Sequence, residues 1–105
     1  MRNGSYARLT DRGTVFIGGA EAETFLQNII TTDMGRVVSS GAGYGALLSP
    51  QGKILFDFLV LATEGGFLFD LPRALAADFT KRMTLYRLRA KVEIANRSEA
   101  DAVIA

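Results

Sequence analysis

Residues 41–62 read GAGYGALLSPQGKILFDFLVLA, and the fold turns on how this stretch is read. Ser49-Pro50-Gln51-Gly52 places serine, proline and glycine at the first, second and fourth positions of a type I turn. The runs on either side then become the two strands of a hairpin. The second strand, Ile54 to Ala62, is apolar on both faces except at Asp57. A two-residue loop at Pro50-Gln51 pairs Ser49 with Gly52 and sets Tyr44 directly opposite Asp57. Cross-strand partners of that kind have Cβ atoms about 4.5–5.5 Å apart. Two-residue loops prefer the primed turn types, so a bulge is the competing arrangement, and one bulge moves the partner to the other face.

Working outward, the 105 residues amount to one domain with room for a real core. A net charge of +1 gives no general attraction to nucleic acid or to a membrane surface. No apolar run of about 18 residues escapes interruption, so no membrane span is expected. The opening MRNGSYARLTDRG lacks the apolar centre of a signal peptide, and the default compartment is the cytoplasm. With no cysteine and no histidine, the chain offers no thiolate chemistry, iron–sulfur ligation, zinc site or Ser-His catalysis. Its chemistry must run on carboxylates, hydroxyls, Lys, Arg or a bound cofactor, and no metal site is expected.

In chain order, Tyr6–Thr10 and Thr14–Ile17 are short β-rich runs divided by a turn signal at Asp11-Arg12-Gly13. Ala22, Phe25, Leu26, Ile29 and Ile30 form one helical stripe, ending near Thr31-Thr32-Asp33-Met34-Gly35. Val37–Ser40 leads into the hairpin. Phe67–Leu71 is a third strand antiparallel to Ile54–Ala62. Asp70-Leu71-Pro72 starts a second helix with Leu75, Phe79, Met83 and Tyr86 as its buried stripe. Lys91–Ala95 alternates like a strand, and Ala102–Ala105 opens another. The expected architecture is α+β, two helices against an antiparallel sheet.

Three features compete for function. Gly41, Gly43 and Gly45 lead into a strand rather than a helix, which fails the nucleotide-loop context; glycines on one strand face instead admit a close neighbour. Lys81, Arg82, Arg87, Arg89 and Lys91 form a cluster without an acid, read either as a solvated helix end or as an anion site. Asp57 is costly if buried unpaired. Either it meets Arg87, Arg89 or a hydroxyl such as that of Tyr44, or it faces a cleft where a ligand satisfies it.

The runs from Gly43 to Asp57, Phe67 to Pro72 (FLFDLP) and Leu85 to Ile94 (LYRLRAKVEI), with LTDRGTVFIGGAEAETFLQNIITTD at residues 9–33, resemble the folate-binding YgfZ family, a sister of the glycine-cleavage T-protein (aminomethyltransferase). The resemblance covers essentially the whole chain. It implies that residues 1–105 are the N-terminal part of a T-protein-like folate-binding fold, in a longer protein whose Lys-Gly-Cys signature lies downstream. It also implies tetrahydrofolate or a one-carbon derivative as cofactor. Asp57 matches the second member of the T-protein Asp-Asp pair, with Phe56 departing from the first. Tyr44 matches one pocket tyrosine, and Leu61 stands where a second is found.

The function implied first is a tetrahydrofolate-binding accessory protein in iron–sulfur cluster assembly or repair, with client or assembly proteins as partners. In that reading Tyr44, Asp57 and Leu61 line the folate site, and the basic cluster attracts the folate's glutamate tail. The alternative is an aminomethyltransferase in which Asp57 is catalytic; Phe56 and Leu61 count against it. The third reading is a folded segment that only packs or self-associates through exposed surface.

Overall fold

The computed structural model describes residues 11–98. The expected strands at Tyr6–Thr10 and Ala102–Ala105 lie outside them. Five strands, β1 (Arg12–Gly18), β2 (Ala42–Leu48), β3 (Ile54–Thr63), β4 (Gly66–Pro72) and β5 (Glu93–Asn96), form one antiparallel sheet in the order β2-β3-β4-β1-β5. The helices are α1 (Ala22–Ile29), α2 (Met34–Ser40) and α3 (Arg73–Arg87). The fold is α+β as expected, with three helices where two were predicted. Arg12 and Gly13 belong to β1, pairing with Pro72 and Leu71 of β4, and not to the predicted turn.

One core joins the helices to the sheet. Val15, Ile17, Phe58, Val60, Phe69 and Leu71 bury one sheet face against Leu26 of α1, Val37 of α2, and Phe79 and Met83 of α3. At the centre, the Phe79 ring lies 5.5, 5.5 and 5.3 Å from those of Phe56, Phe58 and Phe69. Phe58 and Phe69 also meet edge-on at 5.0 Å. Such tilted and edge-on pairs suit the ring quadrupoles and add about 0.5–1.5 kcal/mol each beyond area burial.

The unpredicted helix α2 begins where α1's exit loop ends. The Asp33 carboxylate accepts from the Gly35 and Arg36 amides at 3.0 and 3.4 Å, satisfying two orphan donors. Val37 and Val38 are β-branched and weaken a helix reading, yet burial of Met34 and Val37 overrides that preference. Asp70, predicted to cap α3, lies instead in β4 and pairs with Arg12 at 2.9 Å. Leu75 is 37% exposed, and Ala76 takes its place in the buried stripe.

The central hairpin forms, but its register differs from the two-residue loop. The Gly52 amide donates to the Ser49 carbonyl at 2.9 Å, closing the expected turn, while the Ser49 amide donates to Lys53 at 2.8 Å. The loop is therefore Pro50-Gln51-Gly52, with Gly52 at φ +88° in the bulge position of a three-residue hairpin. A second slip follows between Leu48↔Ile54 and Leu47↔Phe56, leaving Leu55 as the extra residue. Tyr44 accordingly stands opposite Leu59, and Asp57 opposite Ala46. One slip would have put Asp57 on the far side of the sheet; two restore its face.

Candidate functional site

The sheet face turned away from the helices carries the site. Directly opposed residues share a face, so the pairings Ala42↔Leu61, Tyr44↔Leu59, Leu59↔Asp70, Leu61↔Leu68, Thr14↔Asp70 and Phe16↔Leu68 define one surface across four strands. Asp57, opposite Ala46, lies on it too. On this face Tyr44 and Asp57 are exposed, while Leu59, Leu61 and Leu68 are half-buried. Phe16 is nearly covered, with the Arg97 guanidinium 4.3 Å above its ring.

The expected pair is in contact despite the changed register. Tyr44 and Asp57 are diagonal rather than direct neighbours, a separation long side chains can bridge. The Tyr44 hydroxyl donates to Asp57 Oδ2 at 2.5 Å. Among the described residues, no salt bridge joins Asp57 to Arg87 or Arg89. Of its two alternatives, a neighbouring hydroxyl is the one formed. Asp57 Oδ1 has no protein partner among the described residues and is free to accept from outside.

This contact marks the tyrosine electrostatically. The hydrogen bond to Asp57 holds the Tyr44 hydroxyl above its ordinary value of 10.0, because ionisation would remove the donated proton; desolvation and repulsion from the carboxylate act in the same direction. Arg12 opposes the shift. That guanidinium is partly neutralised by its ion pair with Asp70.

Strand β2 is held in place from its other side. Thr31 Oγ1 accepts from the Ala46 amide at 2.9 Å, the Thr31 amide donates to the Ala46 carbonyl at 3.0 Å, and the Thr32 hydroxyl donates to the Tyr44 carbonyl at 3.3 Å. This close docking is possible because Gly43 and Gly45 present no side chain to Thr32 and Val37, as expected for glycines that admit a neighbour. Beside Tyr44 a hollow of about 350 Å³ is walled by Thr31, Asp33, Arg36 and Gly43.

The structure brings Tyr44, Asp57 and Leu61 onto one face. It separates the basic cluster from them: Lys81, Arg82 and Arg87 are on α3, in the helical layer. Arg89 and Lys91 follow the end of α3, ahead of β5. Leu59, Leu68, Arg12 and Asp70 were missed by the sequence reading. Leu59 was legible from the period of two running through Asp57 and Leu61; the other three needed the strand order. Among the described residues, no group of His, Cys, Asp and Glu is arranged to hold a metal ion.

No family model matches the chain. It is 33% identical over 104 residues to the iron-sulfur cluster assembly factor IBA57 homolog, mitochondrial, of Aspergillus oryzae, covering 85% of this chain and 23% of that protein. It is 27% identical over 100 residues to the iron-sulfur cluster assembly factor IBA57, mitochondrial, of Homo sapiens, covering 83% and 28%. The chain thus spans about a quarter of the length of these curated relatives. Its fold resembles the glycine cleavage system aminomethyltransferase T of Bartonella henselae, with a TM-score of 0.75 at 16% identity over 84% of this chain and 25% of the other. The expected T-protein-like α+β architecture is therefore present. The relatives' names overturn the cytoplasmic expectation, since both are called mitochondrial; a default drawn from a missing signal pattern carries no address of its own.

Proposed function

We propose that this chain forms one wall of a folate site in a protein of iron–sulfur cluster assembly, belonging to the YgfZ-like branch of the T-protein fold. The observation that carries the reading is the Tyr44–Asp57 pair on an open sheet face, with Asp57 Oδ1 unsatisfied among the described residues. Similarity to assembly factors over this segment supports the cellular role. The face fits a reduced folate chemically. Leu59, Leu61 and Leu68 make a flat apolar floor for a planar ring system, and Asp57 supplies an acceptor for a ring or bridging N–H. Tyr44 adds an aromatic wall and holds the carboxylate in one orientation. Tetrahydrofolate, when bound, supplies a one-carbon carrier; the residues of this chain orient it and accept its hydrogen bond.

The test is calorimetric titration of tetrahydrofolate into the full-length protein and its Asp57→Asn and Tyr44→Phe variants. Loss of a hydrogen bond to a charged group, about 1.5–3 kcal/mol, weakens binding by roughly ten- to a hundredfold for Asp57→Asn. Tyr44→Phe keeps the ring and frees the carboxylate, so its effect is smaller. Equal affinity of wild type and Asp57→Asn removes Asp57 from the site, and a full-length protein that binds no folate refutes the reading altogether.

A further inference from the structure

The end of α3 carries a feature the folate site does not use. Arg87 to Ala90 is a β-turn closed by the Ala90 amide donating to the Arg87 carbonyl at 2.8 Å. Leu88, its second residue, has φ 49° and ψ −109°, the conformation of the first central residue of a type II′ turn, where glycine is the usual occupant. Among the described residues it is the only non-glycine residue with positive φ. Strain of this kind persists only when something offsets it, and here packing does not, because Leu88 is 85% exposed. Leu85, one helical turn earlier, is 65% exposed.

These leucines stand over a groove. A hollow of about 430 Å³ is lined by Ile29, Leu47, Leu48, Pro50, Leu85 and Leu88. It shares Ile29, Tyr86 and Leu88 with a second hollow of about 560 Å³, walled by Arg87 and Arg89. Lys81 and Arg82 lie three or four residues before Leu85 on the same side of α3, and Arg89 follows Leu88. Lys81, Arg82 and Arg89 are exposed, and none is in an ion pair among the described residues. The one carboxylate on the second hollow, Glu21, already accepts from the Lys91 amide at 2.9 Å. The groove is apolar at its centre and positive at its rim.

We propose that this groove docks a partner protein through an acidic amphipathic helix. Apolar side chains one turn apart seat against Leu85, Leu88 and the tip of the β2–β3 hairpin, and flanking Asp or Glu side chains face Lys81, Arg82 and Arg89. An anionic membrane fits less well. An interfacial helix lays a continuous apolar face into the lipid, whereas α3 turns Ala76, Phe79 and Met83 into the core and interrupts its exposed apolar side chains, Leu75 and Leu85, with exposed Asp78, Lys81 and Arg82. The surface is on the helical side of the sheet, so the proposal stands apart from the folate reading.

The test is amide chemical-shift mapping on the full-length protein with three probes: a stapled helical peptide of repeating Glu-Glu-Leu-Leu, its Lys-Lys-Leu-Leu counterpart, and phosphatidylglycerol vesicles. The acidic peptide is expected to shift Ile29, Leu48 and Leu85 to Arg89. Arg82→Glu with Arg89→Glu weakens it at least tenfold, and so does Leu88→Gly, which at the same time raises the melting temperature by relieving the turn. No shift at millimolar acidic peptide overturns the proposal. So do equal binding of the lysine peptide, binding of vesicles in place of peptide, unchanged affinity in Leu88→Gly, or a Leu88→Gly variant that melts lower than wild type.

Discussion

Replacing Gly45 by alanine tests how β2 is held beneath the Tyr44–Asp57 pair. A Cβ added at Gly45 would lie 1.8 Å from Thr32 Oγ1, 3.0 Å from Thr32 Cβ and 3.1 Å from Thr31 Oγ1. Thr32 is 6% exposed and has little room to retreat. Rotating its hydroxyl aside loses the bond to the Tyr44 carbonyl, and backing the loop away strains the Thr31–Ala46 bonds as well. Overpacking costs about 1–3 kcal/mol, and each bond lost about 0.5–1.5 kcal/mol. Gly45→Ala should therefore destabilise the chain by about 2–4 kcal/mol. With a urea slope of about 1–3 kcal/mol/M, the midpoint followed by circular dichroism falls by roughly 1–3 M. Gly43→Ala is the milder control, since its Cβ meets only the methyl ends of Val37 and Thr32 at 2.8 and 3.1 Å. Adding Thr32→Ala to Gly45→Ala removes the closest clash, so the two changes couple favourably by about 1 kcal/mol or more in a double-mutant cycle. A Gly45→Ala loss below about 1 kcal/mol, or strict additivity with Thr32→Ala, would refute the close approach of Thr32 to β2.

Two further outcomes follow from the same geometry. Spectrophotometric titration should show Tyr44 ionising above the ordinary tyrosine range, and Asp57→Asn should bring it back down. Because the folded value is the higher one, the associated stability is present below about pH 10 and is lost as pH rises through the folded value, so urea midpoints fall with alkalinity less steeply in Asp57→Asn. Phe79→Ala removes a fully buried ring that touches three others and costs about 3–5 kcal/mol; thermal melting should show a drop of more than about 10 °C, and a smaller one would mean α3 is not anchored through this ring.

The legible parts of the fold are those where periodicity and turn chemistry agree. The Ser49–Gly52 turn, the stripe of Ala22, Phe25 and Leu26, and the antiparallel β3–β4 pair all follow from local residue choice. The nearness of Tyr44 and Asp57 was also legible, although the register was not. A bulge at Leu55 depends on how Leu47 and Phe56 meet the phenylalanine core, which no local signal records. Helix α2 was hidden because Val37 and Val38 disfavour helix while tertiary burial supports it. Strand order β2-β3-β4-β1-β5 brings Arg12 to Asp70 across 58 residues of chain, beyond any pattern within one window. Leu88 was invisible for the opposite reason: everything local asks for glycine there.

The paired irregularities in the hairpin constrain how this segment can change length. Each slip alternates which side of the sheet the following residues occupy, so the two together act as a parity check. An insertion or deletion of one residue between Leu48 and Phe56 would carry the Asp57 carboxylate toward Phe58, Phe69 and Phe79 and turn a buried phenylalanine out to solvent. A change of two residues would leave both faces as they are. A change of one residue therefore keeps both faces only where a further bulge or a re-formed turn absorbs it, as Leu55 is absorbed here.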